Sequence, residues 1–177
     1  QYIIYKNKPL FEHSIEKALA SKLFKKIILV VNNKKQIKKK FSKNVVIIKG
    51  GKERSDSSLI GLKYIKKFKP SNVLIHDAAR PFITKGLIEK VIISLKDCDA
   101  AIVGSQSTDT LKKVSNGEIS NTIDRDEIWC VQTPQAFLKE AIINAYDLAK
   151  KQSFQGTDDS SLLERAGVRV KIINDSS

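Results

Sequence analysis

The sequence predicts an α/β fold, a mostly parallel sheet flanked by helices with a protruding β-hairpin, on three observations. Continuous apolar runs at Ile27 to Val31, Val45 to Ile48, Val73 to Ile75 and Ala100 to Val103 have strand length and suit strands buried on both faces. Between them lie segments whose apolar residues recur every three to four positions, the spacing of a helix face. From residue 105 to 129 that rhythm gives way to alternation around Asn116-Gly117, a hairpin-turn signal.

The chain of 177 residues is read as a single domain, residues 1–177, with the hairpin at 105–129 inside it. It opens within an apolar segment, Gln1-Tyr2-Ile3-Ile4-Tyr5, and without a methionine, so it is expected to be part of something longer. Phe11, Ile15, Ala18, Leu19 and Leu23 predict an amphipathic helix ending near Lys25-Lys26. The lysine-rich segment from Lys34 to Lys40 predicts a solvated helix, since it has no interleaved aromatic residues on which bases could stack. Leu59, Leu62 and Ile65 mark a helix after Gly50-Gly51, and Leu87, Ile88, Val91, Ile92 and Leu95 mark another. Pro134 is expected to start a helix carrying Phe137, Ala141, Ala145 and Leu148. Thr157-Asp158-Asp159 caps a short helix through Leu162 and Leu163, and Val168 to Ile173 is the last strand.

Composition narrows the function classes. A hydrophobic fraction of 41% with 29% charged residues is ordinary for a folded domain. No apolar run approaches the roughly 18 residues of a membrane span, and the first residues lack signal-peptide order, so a cytoplasmic protein with no membrane partner is expected. The net charge of +13 is spread over nearly every element, which favours an anionic small molecule over a nucleic acid. A basic nucleic-acid-binding module is the rival class, and it requires steeply salt-dependent duplex binding without preference for a nucleotide. Cys98 and Cys130 are too few and too far apart for a zinc site.

Chemistry concentrates in a few stretches. Val73 to Phe82 delivers His76, Asp77 and Arg80 just past the carboxyl end of a strand, where ligands of open α/β sheets bind. A carboxylate and a guanidinium three residues apart can present a metal ligand beside a phosphate clamp, or make a loop salt bridge. His76 could be a general base, but its place at the strand end suits a structural hydrogen bond. Gly50-Gly51-Lys52-Glu53-Arg54-Ser55-Asp56-Ser57-Ser58 joins a strand to a helix, where glycines permit close backbone approach and helix-terminal amides meet anionic or carbonyl groups.

Asp77 lies in His76-Asp77-Ala78-Ala79-Arg80-Pro81-Phe82, which resembles the signature of the 2-C-methyl-D-erythritol 4-phosphate cytidylyltransferase family. Trp129-Cys130-Val131-Gln132-Thr133-Pro134-Gln135-Ala136-Phe137 resembles that family's second signature, and Asp109-Thr110-Leu111-Lys112, Thr122-Ile123-Asp124-Arg125 and Thr157-Asp158-Asp159 resemble further segments in the same order. The resemblance spans nearly the whole chain. It implies a Rossmann-like fold of the nucleotide-diphospho-sugar transferase type, and transfer of CMP from CTP to methylerythritol phosphate in the non-mevalonate route to isoprenoids. It assigns Gly51 and Ser57 to the cytosine base with Arg54 in support, and Asp77 to a magnesium ion. Arg80 and Thr133 go to the acceptor phosphate substrate. It also implies a homodimer in which residues 105–129 reach the neighbouring site, bringing Thr110 and Arg125 to the acceptor there. Asp159 is left between assisting the metal and capping its helix.

Two departures accompany the resemblance. The family's opening strand, its glycine-rich loop with a basic residue and a lysine before Gln-Tyr have no counterpart here, and neither has a terminal Asn-Ile-Lys segment, since the sequence stops at Asn174-Asp175-Ser176-Ser177. The resemblance then implies either an active enzyme of which parts lie outside this sequence or an inactive polypeptide lacking two catalytic cations. Ribitol 5-phosphate is the alternative acceptor, although Ala79 stands where that relative more often has valine. A fused cyclodiphosphate synthase is also compatible with the ending.

Overall fold

The computed structural model of the chain describes residues 1–175; Ser176 and Ser177, part of the ending considered above, lie outside the described residues. In chain order the strands are β1 (Ile4–Tyr5), β2 (Lys8–Pro9), β3 (Ile27–Val31), β4 (Val45–Lys49), β5 (Asn72–Ile75), β6 (Ala100–Gln106), β7 (Leu111–Ser115), β8 (Glu118–Ile123), β9 (Trp129–Leu138) and β10 (Val170–Asn174). The helices are α1 (Leu10–Ser21), α2 (Arg54–Ile65), α3 (Lys85–Ser94), α4 (Lys139–Lys151) and α5 (Asp159–Arg165). The main sheet has the order β10-β6-β9-β5, β3 pairs with β4, and β1–β2 and β7–β8 form two-stranded ribbons.

Period-two alternation decides which helix covers which face. In β9, Phe137 joins Leu62, Ile142, Tyr146 and Leu163 from α2, α4 and α5, while its neighbour Ala136 joins Leu87 and Val91 of α3 on the opposite face. In β6, Ala100 faces the first cluster and Ala101 and Val103 the second. Helix α1 sets Phe11 and Ile15 on Leu29 and Val31 of β3. Helix α2 spans both sheets, since Leu62 packs on the β5 side while Gly61 lies against Val30 of β3.

The structure corrects four expectations. Strand β9 runs antiparallel to both β6 and β5, so the sheet is mixed: among the described residues the β6–β10 and β3–β4 pairs are the parallel ones. The cause is the hairpin. The chain leaves β6, makes the β7–β8 ribbon and returns beside the strand it left, with Gln106 opposite Trp129. Pro134 and Phe137 accordingly belong to β9 rather than to a helix, which starts only at Lys139. A proline has no N–H for a central ladder, and β9 accommodates it by bulging: Ile102 pairs with Gln135 and Val103 with Gln132, so Thr133 and the cis-linked Pro134 bow out of the register.

The segment from Lys34 to Lys40 forms one 3-10 turn, Lys34–Gln36, capped by Asn33, and no longer helix. Lys34–Lys38 and Lys35–Lys39 would stack like charges four residues apart, with no apolar stripe to offset them. Lys39 instead reaches Glu12 at 3.2 Å and Glu16 at 2.7 Å on α1. Its hydrogen bond, with a second from Lys8, holds the Glu16 carboxyl down at about 2. Helix α1 ends at Ser21, short of Lys25-Lys26, because Ser21 Oγ accepts from Leu23 N and Lys22 turns left-handed at φ 61°.

The hairpin has the predicted turn. Asn116 and Gly117 both have positive φ, 51° and 83°, as a two-residue turn matched to strand twist requires. Because Phe137 is fully buried in β9, Phe137→Ala is expected to lower the unfolding free energy by about 3–5 kcal/mol in urea denaturation. A loss within the roughly 0.5 kcal/mol typical of surface positions would contradict this placement.

Candidate active site

Three chain segments meet just beyond the carboxyl ends of β4 and β5. The first follows β4. Gly51 N donates to Ser57 Oγ at 3.2 Å, so the glycine turn and the first turn of α2 close on each other. A side chain at position 51 has no room: its Cβ would lie 2.2 Å from Cβ of Asp56. Asp56 is fixed there by a reciprocal cap, accepting from Glu53 N at 3.2 Å while Glu53 accepts in turn from Asp56 N. Close packing, with no left-handed backbone, is therefore the reason for glycine at this position.

The second segment follows β5 and carries Asp77. Both of its carboxylate oxygens face guanidinium groups, Oδ1 accepting from Arg54 Nε at 3.0 Å and Oδ2 from Arg80 Nε at 3.3 Å. Arg80 also donates through Nη1 to Gln132 of β9 at 3.1 Å, which leaves other donors of a half-exposed side chain for a ligand. Gln132 sits inside the second signature, and its part in aiming Arg80 was not anticipated from the sequence.

The third segment leads into α5. Asp158 is the helix cap, accepting from Ser161 N at 2.9 Å, so capping does not fall to Asp159. Burial opposes the charge of Asp158, but hydrogen bonds from Gln135, Ser160 and Ser161 outweigh it and keep the carboxyl below the usual aspartate range. The Asp159 side chain has no solvent exposure. It accepts from Arg54 Nη1 at 2.7 Å and from Tyr146 hydroxyl at 2.5 Å, so both oxygens are engaged inside the protein and Arg54 stands between this acid and Asp77. Burial, then Asp159, raises the Tyr146 hydroxyl far above its usual range. Arg54 thus bridges two acids from different segments. Its own burial works against the charge, and Asp159 followed by Asp77 more than compensates.

A directed chain of hydrogen bonds fixes the Asp77 loop. His76 Nε2 lies 2.9 Å from the carbonyl of Arg80, which can only accept, so the proton is on Nε2. Nδ1 then accepts from the Thr133 hydroxyl at 3.0 Å, and Thr133 Oγ1 accepts from Asp77 N at 3.1 Å. The bulge in β9 is what turns Thr133 toward this loop. Both ring nitrogens of His76 are engaged, which leaves no lone pair for general-base work, and the one hydroxyl proton of Thr133 is committed inside the protein.

Thr110 and Arg125 flank the base of the hairpin, both exposed, and Arg125 Nη1 donates to the carbonyl of Thr108. They take no part in the network of hydrogen bonds around Asp77 described above. Among the described residues no three His, Cys, Asp or Glu side chains could jointly hold a metal, and no helix is long and apolar enough to cross a membrane.

Burial pushes the His76 ring below its usual pKa, against the smaller pull of the Arg80 carbonyl. As pH falls through about 6.5 the unfolded chain takes up this proton before the folded one does, so His76 contributes stability that is complete above that pH and is lost below it. The melting temperature is therefore expected to drop as pH falls below about 6.5, and His76→Gln should flatten that part of the profile. An equal slope in the variant, followed by circular dichroism, would locate the titration elsewhere.

Comparison with known proteins identifies the family. Residues 1–177 match the family described as IspD: 2-C-methyl-D-erythritol 4-phosphate cytidylyltransferase. The bifunctional enzyme IspD/IspF of Pelagibacter ubique (strain HTCC1062) is 43% identical over 174 residues, 97% of this chain and 46% of that protein. The 2-C-methyl-D-erythritol 4-phosphate cytidylyltransferase of Bacillus licheniformis is 38% identical over 179 residues, 97% of this chain and 77% of the relative. The chain thus spans about half the length of the first and about three quarters of the second. A crystal structure of 4-diphosphocytidyl-2C-methyl-D-erythritol synthase from Anaerococcus prevotii DSM 20548 superposes with a TM-score of 0.88 at 30% identity, covering 99% of this chain and 83% of that one. On sequence and fold together, the chain belongs to the 2-C-methyl-D-erythritol 4-phosphate cytidylyltransferase family.

Proposed function

We propose that this chain carries out the transfer for which its family is named, moving CMP from CTP to 2-C-methyl-D-erythritol 4-phosphate with release of pyrophosphate. The observation that carries the reading is Asp77, half exposed between two guanidinium groups and next to the glycine turn at the start of α2. An oxygen of the acceptor phosphate attacks the α-phosphorus in line, and a P–O bond to pyrophosphate breaks. No covalent intermediate on the protein is required, so positioning and charge neutralisation are what the residues supply.

Gly51 and Ser57 hold the cytosine, using backbone groups and a hydroxyl that complement its amino donor and carbonyl acceptor, and Arg54 supports that pocket. Arg80 binds the acceptor phosphate with the donors not engaged by Asp77 and Gln132. Thr133 is read here as holding the Asp77 backbone and His76, with its contact to the acceptor made alongside that task. Magnesium fits Asp77: the carboxylate is accessible, its present partners are cationic, and magnesium is commonly held by one or two carboxylates plus substrate phosphates. Bound there, the ion would offset negative charge on the triphosphate as pyrophosphate departs. The reaction belongs in the cytoplasm, where CTP is available.

A homodimer completes this reading. The β7–β8 ribbon exposes Val114, Ile119 and Ile123, and a two-stranded ribbon is at best marginally stable alone, which supports packing on a second copy. Thr110 and Arg125 would then serve the acceptor in the neighbouring site.

Pyrophosphate release with CTP and magnesium tests the activity, with methylerythritol phosphate, ribitol 5-phosphate and no acceptor in parallel. Release dependent on methylerythritol phosphate is expected, and Asp77→Asn should lower it by about a hundredfold or more, the scale of one lost electrostatic contact in a transition state. Release with ribitol phosphate alone would reassign the acceptor. Val114→Asp with Ile119→Asp should yield monomers in sedimentation velocity. A dimer that survives both changes would move the interface elsewhere.

A further inference from the structure

We propose that Asp159 is a positioning residue that retains Arg54 when Asp77 exchanges a guanidinium partner for a divalent cation. The proposal rests on the reading of Asp77 as the metal ligand and extends it to a residue that cannot touch the metal.

The two ends of the Arg54 bridge differ. Asp77 is 34% exposed and meets Arg54 Nε at 3.0 Å, whereas Asp159 is fully enclosed and meets Arg54 Nη1 at 2.7 Å. A buried carboxylate left without a cation is strongly unfavourable, so the inner contact is the one that persists. The other hydrogen bond to Asp159 comes from the Tyr146 hydroxyl, which is uncharged and cannot replace Arg54 as a counterion. The outer contact faces solvent and can be exchanged.

That asymmetry matters because each oxygen of Asp77 already meets a guanidinium. Arg54 covers Oδ1 and Arg80 covers Oδ2. A divalent cation that takes a remaining lone pair of Asp77 comes close to at least one guanidinium, and charge repulsion drives that group off the carboxylate. With Asp159 in place, Arg54 gives up Asp77 and stays paired with a second carboxylate. Without it, Asp77 is the one acid left to Arg54, and the cation competes against an undivided ion pair. Tyr146 fixes the rotamer of Asp159 from the far side, and it leaves the balance of charge unchanged.

Equilibrium binding of Mn2+ to the full chain, without nucleotide and read from the electron paramagnetic resonance signal of free Mn2+, tests this independently of turnover. Asp77→Asn is expected to abolish binding. Asp159→Asn should weaken it about tenfold, the scale of one charge-assisted hydrogen bond. Asp159→Asn combined with Arg54→Gln has the net charge of the unaltered protein and lacks the competitor, so it should bind within about twofold of the unaltered protein. Tyr146→Phe, which keeps both charges, should also stay within about twofold.

No detectable binding by the unaltered protein, or binding unaffected by Asp77→Asn, would sink the metal reading and the inference with it. Binding lost in Asp77→Asn but unchanged in Asp159→Asn would leave the metal reading standing and overturn the role given to Asp159. A double variant as weak as Asp159→Asn, or Tyr146→Phe equally weak, would mean that Asp159 acts through its own charge or through packing, and would also overturn it. Should Asp159→Asn fail to fold, Arg54→Lys decides. One ammonium can keep Asp159 paired while withdrawing from Asp77, so Mn2+ should bind at least as tightly as in the unaltered protein, and weaker binding would contradict the proposal.

Discussion

One guanidinium holds the candidate site together. Arg54, the first residue of α2, reaches the accessible Asp77 after β5 and the enclosed Asp159 at the start of α5. These three segments are far apart in the sequence and have no backbone ladder in common. A surface ion pair contributes little to stability, whereas a buried acid obliges its partner to stay. Asp159 is thus the fixed point, Arg54 the strut, and Asp77 the end of the strut that faces solvent. Helix α2 gains a second anchor from this arrangement, besides the packing of Leu62 in the core.

Much of this fold was legible in the sequence because the relevant signals are local. The apolar runs at β3 and β4 needed only length and composition, and the Asn116-Gly117 turn needed only two residues that tolerate positive φ. Strand β9 was not legible in the same way. Pro134 is a helix-start signal in isolation, and what overrides it is the pairing of β9 with β5 and β6, a contact between distant segments that leaves no local trace. The lysine segment failed for the opposite reason. Its composition permits a helix, but Ile37 is its one apolar residue and its charges repel at helical spacing.

The site divides similarly. Asp77, Arg80, Gly51 and Ser57 were identified from motifs, and the structure brings each pair together. Tyr146 carries no such signal, because a tyrosine on an amphipathic helix face reads as core and its hydroxyl finds Asp159 only after folding. Asp159 was noticed but could not be separated from Asp158 by sequence. Burial separates them: one caps the helix from its rim while the other turns inward to Arg54. Arg125 and Thr110 were found by motif as well, and in a single subunit they remain at the hairpin base.

The hairpin leaves β6 at Gln106 and rejoins its neighbour at Trp129, directly opposite. A detour that starts and ends at adjacent rungs of a ladder imposes no length on itself. Adding or deleting paired residues in β7 and β8 would lengthen or shorten the ribbon while the register between β6 and β9 stays as it is, and with it the bulge that points Thr133 at the Asp77 loop. The reach of the ribbon and the geometry around Asp77 are therefore free to vary independently.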